Sequence, residues 1–235
     1  SSTGSTGKYE VTGFQLNEPA TPAVSQPVTL AIEWHSIGDD PADPSWNWCS
    51  GLSGQMSVTP AGDKLQLSHV LVASSDFPGL AGQGTYVDKL TYRRVDTASL
   101  DDPGAPPLET LPIENALNGT WLADNGTTLE LSVHAFSQRQ LGHVRGQLST
   151  PFGHVEVSGF TDINALASKL ALQSVSLTAA QTQESSVSSL CGSLELQSDV
   201  LNLFSVTSSA TTPQRSYLAT QLIVMRFKRK GAAIS

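Results

Sequence analysis

The chain has 235 residues, of which only 14% are charged, and its formal net charge is −8 at pH 7. This charge disfavours binding to a nucleic-acid backbone, and no apolar stretch approaches the ~20 residues that a membrane-spanning helix needs. The 39% of hydrophobic residues excludes disorder of the whole chain, and the many Gly, Pro, Ser and Thr residues are typical of a turn-rich all-β protein.

The chain opens with a segment rich in Ser, Thr and Gly, residues 1–7, which is typical of a flexible terminus. If Ser1 is a mature N-terminus left by cleavage, a secreted or extracytoplasmic protein is favoured. The alternative is the remnant of an expression tag. The compartment therefore stays open at this point.

Residues 1–95 are predicted to form a small N-terminal β domain. Its clearest strand carries Val28, Leu30 and Ile32 on one face and polar residues between them, which is the period-two pattern of a half-buried strand. The five strands expected here lie near Lys8–Leu16, Pro27–His35, Gly54–Thr59, Lys64–Ser75 and Thr85–Arg94.

A polar, acidic stretch rich in tryptophan follows the second of these strands. Exposed indole rings in such a loop would stack on a sugar ring or line an apolar opening, so Trp46 and Trp48 are candidate ligand-binding residues. The alternative is a loop that folds back over the core and buries both rings. The two cysteines, Cys49 and Cys191, would form either one disulfide between the two halves of the chain or two buried free thiols.

Residues 96–116 are acidic and rich in proline and show no strand alternation, so they are predicted to be a linker or a surface crossover. Residues 117–235 are predicted to form a second β domain, in which Leu129, Leu131 and Val133 alternate with polar residues. Its eight strands are expected near Asn118–Ala123, Thr127–Ala135, Gly142–Leu148, His154–Thr161, Lys169–Thr178, Ser186–Gln197, Asp199–Ser208 and Tyr217–Arg229.

Four segments of this second half resemble strands of the avidin and streptavidin family, within the wider calycin group that includes lipocalins. In chain order, they are Leu117–Thr127, Leu141–Leu148, Val155–Asp162 and, for the last strand, Tyr217–Thr220 followed by Phe227–Arg229. The resemblance covers residues 117–229 and implies an eight-stranded up-and-down antiparallel barrel. Trp121 would plug one end of this barrel with Arg229 over its ring, a cation–π contact of roughly 0.5–2 kcal/mol. Weak similarity between the two halves leaves open whether the N-terminal domain is a degenerate barrel of the same kind.

The residues with which that family binds biotin are mostly not retained. By the resemblance, Ala123, Leu148 and Met225 stand at positions where the family has polar partners for biotin, and only Thr127 keeps a hydroxyl. Since a buried polar group without its partner costs about 1–3 kcal/mol, biotin is not the expected ligand. A barrel lined by Leu148, Leu177 and Met225 would instead suit an apolar ligand or be filled by its own side chains.

The leading functional hypothesis is therefore non-covalent binding of a small, largely apolar molecule in a barrel mouth. The first alternative is a cyclase-type enzyme that folds a flexible substrate by pocket shape, and the second is a structural or interaction module with filled barrels. No catalytic motif, cofactor fingerprint or metal spacing is recognisable, since His143 and His154 lack a third ligand. The oligomeric state is left open. The candidate ligand-binding residues are Thr127, Leu148, Leu177, Met225, Trp46 and Trp48.

Overall fold

The computed structural model of the chain describes residues 10–16, 19–33, 48–74, 85–93, 110–136, 139–151, 153–181, 185–211 and 220–231. These residues form strands and turns and contain no helix. They build a closed eight-stranded antiparallel barrel and a separate five-stranded antiparallel sheet, so the predicted fold class is confirmed.

The N-terminal sheet is a simple meander in which each strand pairs with the next one in the chain. Its central hairpin turns at Gly62, whose φ of 104° is readily available only to glycine. Among the described residues, the first and last strands do not pair, so the sheet is open rather than a second closed barrel. Its strands are β1 (Glu10–Gln15), β2 (Gln26–Glu33), β3 (Trp48–Thr59), β4 (Gly62–Ala73) and β5 (Thr85–Arg93).

Strand β3 begins at Trp48, six residues before the predicted start at Gly54. Every residue from Cys49 to Gly54 is buried, so both faces of the strand are covered along this stretch. A strand that is buried on both faces does not need to alternate apolar and polar residues. The period-two pattern of half-buried strands is therefore absent from this stretch of β3, and the sequence did not indicate where the strand begins.

The barrel consists of eight consecutive strands, each paired with the next, and it closes where the last strand pairs with the first. The strands are β7 (Gly119–Ala123), β8 (Thr128–Phe136), β9 (Arg139–Thr150), β10 (Gly153–Thr161), β11 (Leu172–Gln181), β12 (Ser186–Glu195), β13 (Val200–Ser209) and β14 (Thr220–Arg229). A short extra strand, β6 (Thr110–Pro112), pairs with β8 inside the segment that was predicted to be a linker.

Trp121 plugs the barrel at the end where β7 begins. Its ring is fully buried, and its Nε1 donates a hydrogen bond to the carbonyl oxygen of Leu117 at 2.9 Å. The Cζ of Arg229 lies 4.3 Å from the ring centroid, which confirms the predicted cation–π contact. The guanidinium is held there by Asp199, whose Oδ2 lies 3.0 Å from Nε, and by the carbonyl oxygens of Asn118 and Ala116.

The N-terminal sheet packs one face against the outer surface of the barrel. Two small apolar clusters form this contact, one joining the sheet to Phe160 of β10 and the other joining it to strands β12 and β13. The clusters are Ala31, Cys49 and Phe160, and Val70, Val72, Cys191 and Val206, with Phe204 packed alongside.

Serine side chains make much of the remaining contact between the sheet and the barrel. Ser53 donates to the hydroxyl of Ser208 at 2.9 Å, and Ser74 donates to the hydroxyl of Ser174 at 3.2 Å. These buried hydroxyl groups are thus satisfied by hydrogen bonds between the sheet and the barrel instead of by water.

Cys49 and Cys191 meet at this interface although 142 residues separate them in the sequence. Both are buried free thiols, so the second of the two sequence alternatives describes their state. Burial raises the pKa of Cys191 to about 12, and burial together with the charge of Glu33 raises the pKa of Cys49 well above its usual value.

Candidate functional site

The end of the barrel opposite Trp121 is the candidate binding site. Along β11, Val175, Leu177 and Ala179 belong to the barrel core, whereas Ser174 and Ser176 face the N-terminal sheet. Because successive side chains of a strand point to opposite faces, this assignment fixes which residues of each strand face inward. The same alternation applied around the barrel identifies the residues that line its open end.

Three predicted lining residues share the barrel interior. Leu148 of β9 and Leu177 of β11 are buried members of the core cluster, and Met225 of β14 is partly buried against it. Thr127 is buried beside the turn between β7 and β8, two residues before the inward-facing Leu129. The structure therefore places Thr127, Leu148 and Met225 around the same end of the barrel, with Leu177 at the level of the packed core.

The two tryptophan candidates do not join this group. Trp46 lies outside the described residues, and Trp48 is the first residue of β3 in the N-terminal sheet. Its neighbour Cys49 contacts Ser174 at the start of β11, which is the closed end of the barrel. Because Cys49 faces the barrel, the alternation of β3 turns Trp48 to the other face of the sheet.

Four further residues face the open end and were not recognised in the sequence. Ser188 and Thr207 lie on neighbouring strands, and their hydroxyl oxygens are 2.7 Å apart. Ser205 is two residues before Thr207 on the same inward face, and it pairs with Ile223 of β14. Counting in steps of two from the core leucines of β12 and β13 would have identified the three hydroxyl residues.

Ile223 is a large apolar residue that is exposed on the interior face at this end of the barrel. It lies on the face of β14 that carries Met225 and Phe227 into the core, yet it is 46% exposed. The pairing between β14 and β7 ends at the Phe227–Ala123 pair, and no described strand pairs with β14 beyond that point on this side. The wall of the barrel is thus interrupted where Ile223 lies, and solvent reaches this side chain, whereas Leu148 and Ser205 on the same interior face are buried.

The part of the opening that the structure describes is uncharged on its inner surface. Each inward-facing residue described at this end is apolar or carries a neutral hydroxyl or amide. They include Thr127, Leu148, Val155, Ala179, Gln181, Ser188, Ser205, Thr207, Gln221, Ile223 and Met225. A charged ligand group would therefore find no opposite charge to offset its desolvation.

No group of three or more His, Cys, Asp or Glu side chains capable of holding a metal ion occurs in the described part of the chain. No helix in this part has the length and hydropathy that crossing a membrane requires. His143 faces outward and packs edge-on against Phe160, with ring centroids 5.9 Å apart. Burial lowers its pKa to about 4, assisted by the charges of Arg145 and His134, so the ring is neutral at pH 7.

Comparison with known proteins gave no relationship from which a function could be transferred: no protein-family model matches the chain, and no curated protein shows significant sequence similarity to it.

Proposed function

We propose that the protein binds a small, uncharged and largely apolar molecule in the open end of an avidin-like barrel. The observation that carries this proposal is Ile223, a large apolar side chain on the interior face that is nevertheless 46% exposed. A barrel filled to its rim would bury the exposed part of this side chain and gain roughly 0.7–1.4 kcal/mol, about half the value for full burial. A ligand that covers Ile223 would gain that stabilisation instead.

The chemistry of the surrounding side chains supports the ligand class. Leu148, Val155 and Met225 offer apolar surface, and the hydroxyls of Thr127, Ser188 and Thr207 offer a few hydrogen-bonding groups that would orient a bound molecule. Predominantly apolar walls with few polar groups are the usual composition of small-molecule sites.

The packed core limits the depth of the site. Leu177 and Leu190, one level below the opening, are buried and belong to the core cluster. We therefore expect a shallow site that holds a compact molecule near the rim and not a deep cavity for a long chain.

An avidin-like relationship is supported by the strand order and by the plug at the closed end. Eight strands in simple succession close on a buried Trp121 under Arg229. Biotin is not the proposed ligand, because Leu148 and Met225 present apolar groups to the interior where the resemblance places polar partners.

Two neighbouring residues of β14 allow a matched test. Ile223 faces the opening and Val224 faces outward, and they are exposed by 46% and 67% respectively. A panel of small neutral apolar compounds would be titrated by calorimetry, with biotin included as a comparison. For a compound that binds, Ile223→Ser should weaken affinity about 3- to 10-fold, since the lost apolar contact is worth about 0.7–1.4 kcal/mol, while Val224→Ser should bind like the parent.

Equal affinity of both variants would contradict the proposed location, and submicromolar binding of biotin would contradict the ligand class. If no compound of the panel binds at millimolar concentration, the binding proposal is wrong. Conversion of a flexible polyene to a cyclised product would instead identify an enzyme in the same opening.

A further inference from the structure

Outside the barrel, the N-terminal sheet aligns a serine, a histidine and an aspartate in one hydrogen-bonded line. The Oγ of Ser50 lies 2.7 Å from Nε2 of His69, and Nδ1 of the same ring lies 2.8 Å from Oδ1 of Asp88. This is the connectivity that activates a serine for nucleophilic attack, with one imidazole nitrogen facing the hydroxyl and the other facing a carboxylate.

The pairing register brings these three residues together. His69 of β4 is directly opposite Asp88 of β5 and opposite Leu52 of β3 on its other side. Ser50 is two residues from Leu52 along β3, so its side chain lies on the same face and reaches His69 diagonally. The three hydrogen-bonded residues therefore all lie within strands, on three neighbouring strands, and none of them comes from a loop.

The backbone around the serine is held by the barrel. The hydroxyl of Ser176 on β11 donates to the carbonyl oxygen of Ser50 at 2.6 Å. The next residue, Gly51, packs so tightly that a Cβ built on it would lie 2.7 Å from Cβ of Cys191. Ser50 itself faces away from this contact, so its side chain is presented from a strand that is fixed on its other side.

Solvent exposure increases steadily from Ser50 through His69 to Asp88. Ser50 is fully buried, His69 is 6% exposed, and the side chain of Asp88 is 31% exposed. Tyr86 and Tyr92, on the same face of β5, are exposed by 46% and 45%. Solvent therefore meets the line at β5, and the serine lies two strand spacings deeper, about 10 Å away.

The residues near the serine on this face are apolar, including Leu52 and the partly buried Leu71 opposite Ser50. We propose that Ser50, His69 and Asp88 form a serine-nucleophile site for carboxylic esters with small apolar acyl groups. Because Ser50 is fully buried, the proposal requires a movement that exposes its hydroxyl to the ester.

In the first step, Ser50 Oγ bonds to the ester carbonyl carbon and its proton passes to His69 Nε2. The bond from that carbon to the alcohol oxygen then breaks, and the alcohol leaves with this proton. Water attacks the acyl-serine, returns a proton through His69 and releases the carboxylic acid, which restores Ser50. Asp88 accepts the hydrogen bond from Nδ1 and so keeps Nε2 free to take the proton.

A fluorophosphonate probe tests this proposal without knowledge of the natural substrate, because it phosphonylates activated serines. The full chain would be incubated with the probe, and peptide mass spectrometry would locate the modified residue. We expect the label on Ser50, its loss in Ser50→Ala, and labelling at least ~100-fold slower in His69→Gln, since a general base contributes that much or more.

Ser53→Ala is the matched control, because Ser53 is also a buried β3 serine but hydrogen-bonds to Ser208 of the barrel. It should label at the parent rate, as should Val224→Ser on the outward face of β14. Parent protein that stays unlabelled at Ser50 with millimolar probe, or equal rates in the parent and His69→Gln, would overturn the proposal. Because the parent alone can give the first of these results, a variant that fails to fold does not obscure the answer.

Discussion

Truncation of Trp121 to alanine is the most direct test of how the barrel is closed. The ring is fully buried, donates a hydrogen bond to Leu117 and lies 4.3 Å from the guanidinium carbon of Arg229. Removing it leaves a cavity for which a buried Trp→Ala change costs about 3–5 kcal/mol. Arg229 would remain anchored by Asp199 and would lie over that cavity without the ring that stabilises its charge.

The loss would be measured by guanidinium unfolding followed by far-ultraviolet circular dichroism, which does not depend on the tryptophan signal. With a slope of about 4 kcal/mol per molar, a loss of 4 kcal/mol moves the midpoint down by about 1 M. Leu122→Ala is the control, because Leu122 follows Trp121 on the outer face and is 42% exposed. If Trp121→Ala unfolds at the midpoint of Leu122→Ala, the plug contributes little and the closure argument is refuted.

Two further predictions follow from the buried titratable groups. A disulfide reagent that reports thiols should react with neither Cys49 nor Cys191 in the native protein and with both after unfolding. The reason is that burial raises the pKa values of both thiols and so disfavours the reactive thiolate. Reaction of the native protein would contradict the buried placement of the two cysteines. His143 gains its proton at a pH of about 4 when folded and near 6.5 when unfolded, so the free energy of unfolding should fall as the pH drops from 6.5 to 4. Solvent screening of this partly exposed ring reduces the effect to about 1 kcal/mol, and His143→Gln should show a shallower decline in midpoints measured across this range.

The strands that the sequence predicts well are those with one face in the barrel core and the other in water. Leu129, Leu131 and Val133 are buried in β8, while Glu130 and Ser132 between them are exposed. Alternation of this kind follows directly from the geometry of a half-buried strand. It does not reveal the first half of β3, which is covered on both faces, or the three-residue β6, which is too short to show a period.

The candidate site was predictable in its apolar part and at the single hydroxyl residue Thr127. Leu148 and Met225 were recognised as lining residues, whereas Ser188 and Thr207 look like the solvent-facing positions of their strands until the inward face is known. Ile223 is one of four consecutive apolar residues in β14, so the sequence alone does not tell which of them face inward. Only the register against β13 assigns it to the opening.

The line through His69 could not be predicted, because no spacing in the sequence relates Ser50, His69 and Asp88. Each residue comes from a different strand, and a register shift of one residue in either hairpin would turn its side chain to the opposite face. That register depends in turn on the barrel, because Gly51 must pack against Cys191 for β3 to lie where it does. The outer face of the barrel thus fixes the position of β3 and with it the alignment of Ser50, His69 and Asp88. The inner face of the barrel forms the opening around Ile223. A change that displaces Gly51 from Cys191 is therefore expected to reach the serine line without altering the barrel opening.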